Sequence, residues 1–251
     1  MSNIINPHRF AAAEVTRQSD ILHWWKLDEG TGDVAYDSIA TNSVDLAKSG
    51  GALWATGRNG SSLSLDGTGD YYHNENAMTA HSGSYAITCW CYPTLAGLNF
   101  RPIVALADQT GTLSNQKGHW ISFESTSEFC YRHDKSSSSW TAIAEAAGDP
   151  GEPRAIDRWY FLCATWDVAG TMDFYLADAS GADGSSPDSV VTDVGTAAAS
   201  GQHTGLDSWI IGQGYGSKDF GGQVDDVRFY GAYLSESDAN AIYNGGIGDF
   251  V

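Results

Sequence analysis

Asp225 is the side chain in this sequence whose chemistry most needs explaining. Strand alternation over Val224–Tyr230 puts Asp225 on one face with Val227 and Phe229, while Asp226, Arg228 and Tyr230 share the other. A carboxylate on an apolar face costs several kcal/mol unless it is paired, hydrogen-bonded or bound to a metal. Calcium would answer that need, since it takes about six to eight oxygen ligands from carboxylates and turn carbonyls. A cap on backbone N–H groups would answer it equally well. The run Asp66-Gly67-Thr68-Gly69-Asp70 also looks suited to a cation, but Asp-Gly is ordinary hairpin chemistry and the turn reading is preferred.

Catalytic patterns are missing. A glycoside hydrolase needs two carboxylates flanking the scissile bond, roughly 5–10 Å apart, and no E-x-D-x-x-E strand motif occurs. Glu29, Glu75, Glu124, Glu128, Glu145 and Glu152 are scattered through turns and loops. There is no G-x-S-x-G elbow, no H-E-x-x-H and no phosphate loop. His23, His73, His81, His119, His133 and His203 lack metal-ligand spacing and read as packing residues near aromatics. Most tryptophans (Trp24, Trp25, Trp90, Trp159, Trp166) sit inside strand patterns, where core packing is expected. Trp140 and Tyr215 lie beside loop-like sequence and are the candidates for a carbohydrate or partner contact.

The elements that would position these residues are strands. Ile21–Leu27 ends in the turn cluster Asp28-Glu29-Gly30-Thr31-Gly32, Ser61–Leu65 runs into the Asp-Gly turn, and Tyr85–Tyr92 is closed by Pro93. Further strands are expected at 103–107, 120–123, 128–131, 140–144, 159–166, 172–177, 209–211 and 224–230. Both alternating sets of Trp159–Trp166 are apolar, so that strand should be central, with a loop or arm over its outer face. One helix is expected, with Ser235 and Asp238 as a capping box and Ala239, Ile242 and Tyr243 at helical spacing. Gly245-Gly246 would stop it, and it should plug one end of the sandwich. The runs 136–139 and 179–186 read as exposed loops.

Composition sets the outer bounds. A chain of 251 residues with 42% hydrophobic residues can bury one large core. Thirteen basic residues against 31 acidic ones give a net charge of −18, which repels phosphate backbones and argues against nucleic acid. No run approaches the roughly 20 apolar residues of a membrane span, and the first ten residues carry no signal-peptide core, so no membrane association is expected. Cys89, Cys91, Cys130 and Cys163 read as buried thiols of a cytoplasmically made protein, with one bridge between distant strands left open.

Five segments, in order, carry a family resemblance. They are His23–Gly32 with Tyr36-Asp37-Ser38, Gly60–Tyr71, Tyr85–Pro93, Arg158–Asp167, and Phe220–Tyr230 followed by Leu234-Ser235. Together they resemble laminin-G-like domains of the concanavalin-A-like lectin/glucanase type. The resemblance implies an all-β fold, a two-sheet antiparallel jelly roll with one short C-terminal helix, in a protein that binds rather than catalyses. It also implies a structural Ca2+ ion: the family brings its first and last strands together, so Asp28 and Asp37 would join Asp225 as ligands.

Residues 1–20 differ from the rest and are expected to form an N-terminal arm, with the jelly roll spanning 21–251. Asn3–Phe10 resembles short leaders of bacteriophage structural proteins that carry such domains. The expectation is therefore a virion protein, synthesised in a bacterial cytoplasm and serving as capsid decoration or tail component. Ile4, Ile5, Pro7 and Phe10 would dock the arm on other virion proteins. The module would form a homo-oligomer, and its outward loops would touch host-surface glycans. A free carbohydrate-binding lectin is the alternative, and a polysaccharide-acting enzyme a more distant one.

Overall fold

The computed structural model describes residues 16–75, 81, 83–96, 100–108, 117–124, 128–136, 139–144, 154–179, 188–198, 206, 208–214, 218–244 and 248. Two antiparallel eight-stranded sheets dominate it. The first runs β14 (Thr192–Ala198), β13 (Thr171–Asp178), β12 (Tyr160–Trp166), β7 (Tyr85–Pro93), β18 (Gly221–Tyr230), β5 (Ser61–Asp66), β4 (Leu53–Thr56). Beside β5, the far half of β18 pairs with β1 (Ile21–Trp25). The second sheet runs β11 (Ser139–Ala144), β10 (Phe129–Ser136), β9 (Lys117–Phe123), β8 (Arg101–Asp108), β15 (Ser208–Ile211), β6 (Tyr71–Asn74), β3 (Leu46–Ser49), β2 (Val34–Ala35). A small ribbon, β16 (Gln213–Gly214) with β17 (Lys218–Asp219), completes the strands. This is the expected two-sheet jelly-roll sandwich.

Period-two alternation decides what each strand buries. In β7, Tyr85, Ile87, Cys89 and Cys91 point between the sheets, while Ala86 and Trp90 point outward. In β12, Tyr160, Leu162, Ala164 and Trp166 face inward, and Phe161 and Cys163 face outward. The outer face of the first sheet is therefore apolar too, and must be covered. The cover is α1 (Glu236–Tyr243) and the segment before it, through Leu234, Ala239, Ile242 and Tyr243. The helix thus lies across the sheet face and does not plug the end of the sandwich. It also takes the place expected for a loop or arm over Trp159–Trp166. The reason is in the spacing: Ala239, Ile242 and Tyr243 make one stripe, which fits a flat sheet face. Ser235 and Asp238 form the expected capping box, and Asn244 ends the helix in a left-handed conformation.

All four cysteines are free and buried. Burial pushes the thiols of Cys89, Cys91 and Cys163 well up, which makes them inert packing groups. Among the described residues, no helix is long and apolar enough to cross a membrane.

One irregularity reshapes the last strand. The register of β18 against β7 shifts between Asp225 and Arg228, and Asp226 adopts a φ of 46°. This bulge resets the alternation. Val224, Val227 and Phe229 all face the inter-sheet core, while Asp225 sits opposite Trp90 on the outer side. The simple alternation that grouped Asp225 with Val227 and Phe229 is therefore corrected by one residue.

Candidate functional site

Asp225 lies beneath the turn that joins β4 to β5 and is 1% exposed. Its Oδ2 accepts the backbone N–H groups of Arg58 (2.7 Å) and Asn59 (3.1 Å). Its Oδ1 has no hydrogen-bond partner among the described residues. Burial is the main reason its carboxyl is pushed up to about 8, with the nearby charges of Asp226 and Asp28 adding to it and the two N–H groups opposing it. Gly57 gives the carboxylate room, since a methyl there would lie 2.6 Å from Oδ2. From the other side of the same turn, Asp28 Oδ1 accepts the N–H of Ser61 at 3.0 Å.

Asp226 and Arg228 form a second buried pair beside it. Arg228 Nη2 lies 2.9 Å from Asp226 Oδ2, and Arg228 Nε donates to Oδ1 at 3.1 Å. Trp24 Nε1 donates to the same Oδ1 at 2.6 Å, and the guanidinium sits 4.5 Å above the Trp24 ring. Arg58 lies 5.2 Å over Trp90.

Asp37 has a different job. Its Oδ1 accepts the N–H groups of Trp24 and Ile39, and its Oδ2 contacts His23 Nδ1 (2.7 Å) and accepts the N–H of Val44. Burial works against its ionisation, but the bonds from His23 and the three backbone groups outweigh it and hold the carboxyl below its usual range. The structure therefore brings Asp28 and Asp225 to one turn and commits Asp37 to pinning the chain after β1. For a calcium ion, the fit rests on the buried, unpartnered Oδ1 of Asp225. Among the described residues, no three His, Cys, Asp or Glu side chains converge to hold a metal.

A second candidate lies on the outer face of the other sheet. Arg132, Trp120, Ala105, Ile210, His73 and Ala47 stand in direct register across five strand pairings, so all six share that face. Trp120, Ala105 and Ile210 form a buried cluster flanked by half-buried Phe100 and Tyr71. Phe100 adopts a φ of 51°, a conformation that costs a non-glycine residue energy and needs support from its surroundings. Its N–H donates to Glu124 Oε2 at 3.1 Å, its ring meets Trp120 edge-on at 5.9 Å, and the Arg132 guanidinium sits 4.7 Å over it. Glu124 also accepts from Ser122 Oγ (2.7 Å) and lies 3.4 Å from Arg132. The result is a half-exposed aromatic ring with a guanidinium and a carboxylate fixed beside it. That set can stack on the C–H face of a polar ring and bond its hydroxyls.

Trp140 lies in β11 opposite Asp134, and its side chain is outside the described residues, as is all of Tyr215. The ribbon that brackets Tyr215 does reach the site: a methyl on Gly214 would lie 2.8 Å from Trp120 Cζ3. Ile4, Ile5, Pro7 and Phe10 are also outside the described residues. Sequence reasoning missed Phe100, Trp120, Glu124 and Arg132. Two of them had a signal: Trp120 and Ser122 alternate to one strand face with Glu124 just beyond. Arg132 joins them only through the β9–β10 pairing. Phe100 had none.

The profile of the concanavalin A-like lectin/glucanases superfamily matches residues 66–240. No curated protein matches the chain. Among solved structures, the binding domain of botulinum neurotoxin DC in complex with SialylT is similar, with TM-score 0.64 and 14% identity over 91% of this chain and 51% of that one. The structure of HCR/D-Sa-GBL1/C gives TM-score 0.64 and 12% identity over 93% and 53%. The binding domain of botulinum neurotoxin serotype D/C VPI 5993 gives 0.62 and 15% over 91% and 52%. The chain thus spans about half the length of each structure, and at these identities the likeness is one of fold. With the profile covering well over half of the sequence and both sheets in place, the chain belongs to the concanavalin A-like lectin/glucanase superfamily.

Proposed function

We propose that this chain is a non-catalytic carbohydrate-binding module that contacts glycans through the outer face of its second sheet. The observation that carries the reading is the Phe100–Arg132–Glu124 arrangement on the Trp120 cluster. Glu124 already stands against Arg132, and the chain carries a net charge of −18, so neutral sugars are favoured over acidic ones. The test is a glycan array followed by titration of any hit. Arg132→Ala and Phe100→Ala should each weaken binding about tenfold or more, as expected when a charged hydrogen-bond donor or a stacking ring is lost. Full binding by both variants would overturn the site.

The same reading includes a structural calcium ion held by Asp225 and Asp28, which would tie the 57–61 turn to β18. A second reading makes residues 1–20 a tether to an assembly such as a virion, with the sugar-binding face turned outward. It is favoured by a fixed anchor at the base of the arm. Arg17 pairs with both Asp20 and the helix-capping Asp238, and Gly231 N–H donates to Asp20 O. Removing residues 1–15 should abolish incorporation into the particle while leaving the melting temperature unchanged. Normal incorporation of the shortened chain would sink the tether.

A further inference from the structure

The turn between β4 and β5 holds an Asn-Gly pair, Asn59-Gly60, in an unusual setting. Of its four consecutive amides, three are tied to carboxylates: Arg58 and Asn59 to Asp225 Oδ2, and Ser61 to Asp28 Oδ1. The remaining N–H, that of Gly60, makes no hydrogen bond among the described residues. Asn59 is exposed, and its side-chain amide is likewise without a hydrogen bond among those residues. Gly60 has no side chain to shield its nitrogen and sits at φ 67°.

We propose that Asn59-Gly60 is a self-modification site that converts Asn59 to aspartate or isoaspartate. Gly60 N loses its proton and attacks Asn59 Cγ. The new C–N bond closes a five-membered imide, and the Cγ–Nδ2 bond breaks as ammonia leaves with that proton. Water then adds to one imide carbonyl. Opening at Cγ gives aspartate; opening at the backbone carbonyl gives isoaspartate, with the chain routed through the former side chain. No enzyme or further co-reactant is needed.

The setting gives the reaction a consequence. Either product places a new carboxylate on a turn already gripped by Asp225 and Asp28. The isoaspartate also lengthens the main chain by one atom between the two grips, so the Arg58–Asp225 and Ser61–Asp28 bonds cannot both keep their geometry. If the node seats calcium, as proposed above, the aspartate product adds a third carboxylate to it; this last point rests on that reading, and the chemistry does not.

Asn244-Gly245 supplies an internal control. Asn244 is the helix C-cap, and its Nδ2 donates to Gly248 O at 3.1 Å, so its side chain is engaged where that of Asn59 is not. The experiment is to age the purified chain at mildly alkaline pH, with calcium and with EDTA, and map deamidation by peptide mass and isoaspartyl methylation. Asn59 should convert ahead of Asn244 in the folded protein, and the two at similar rates in urea. Asn59→Gln should abolish the fast conversion without loss of fold. If Asn59 stays intact in the folded protein while it converts in urea, or if Asn244 keeps pace with it, the proposal is wrong. Conversion of Asn59 with no difference in the calcium response of Asn59→Asp would leave the modification standing and remove the calcium seat.

Discussion

Asp225→Asn should make this protein more stable at pH 8 in the absence of divalent cations, and the advantage should vanish by about pH 4. The carboxyl is pushed up to about 8 in the folded chain, chiefly by burial, against an ordinary carboxylate value in the unfolded chain. Between those two values the folded state holds a proton that the unfolded state has released. Stability therefore falls as pH rises through that window, by up to ~1.4 kcal/mol per pH unit. Asn keeps an oxygen for the N–H groups of Arg58 and Asn59 and carries no charge, so its profile lacks that slope. Asp37 and Asp238, whose carboxyls are held low, act in the opposite sense, and their stabilisation is lost only as pH falls below the usual carboxylate range. The difference between wild type and variant, measured by denaturant unfolding at several pH values, is the quantity to read. Calcium should then raise the wild-type melting temperature, more so at higher pH, and leave Asp225→Asn unmoved. Parallel pH profiles would mean that Asp225 is ordinarily ionised, and an equal calcium response in both proteins would exclude it as a ligand.

Asp225 also shows where the sequence was legible and where it was not. That a carboxylate in the last strand needs an explanation follows from pattern alone. Its actual neighbours depend on a one-residue bulge at Asp226, and a bulge leaves no clear mark in a run as regular as Val-Asp-Asp-Val-Arg-Phe-Tyr. The sandwich was readable because β7 and β12 are apolar on both alternating sets, which only a covered central strand tolerates. The same fact called for a cover, and the stripe Ala239, Ile242, Tyr243 was in plain view as the element able to supply it. The sheet face around Phe100 was harder. Trp120 and Arg132 come together only through the β9–β10 register, which is a tertiary fact, and Phe100 reaches them by a backbone conformation that propensity disfavours. Asp37 was hard to read for the opposite reason. Its partners, His23 and the amides of Trp24, Ile39 and Val44, are local in sequence, yet nothing in residue type distinguishes such a pin from a metal ligand.

Arg228→Met should cost about 3–5 kcal/mol of folding stability, the range for removing one member of a buried ion pair. Arg228 is completely buried, and its guanidinium serves Asp226 twice while stacking on Trp24. Met restores most of the apolar volume, so packing alone does not account for the loss. What remains is the Asp226 carboxylate, 3% exposed and deprived of its counter-charge. The cost should therefore shrink when Asp226 is neutralised: Arg228→Met combined with Asp226→Asn should be more stable than Arg228→Met alone. Trp24 Nε1 still finds an acceptor in the Asn oxygen, and no charge is left without a partner. A double-mutant cycle in denaturant, read at neutral pH, gives the coupling directly. If the single and double variants are equally unstable, Arg228 acts through packing against Trp24, and the bulge in β18 is held by shape without help from charge.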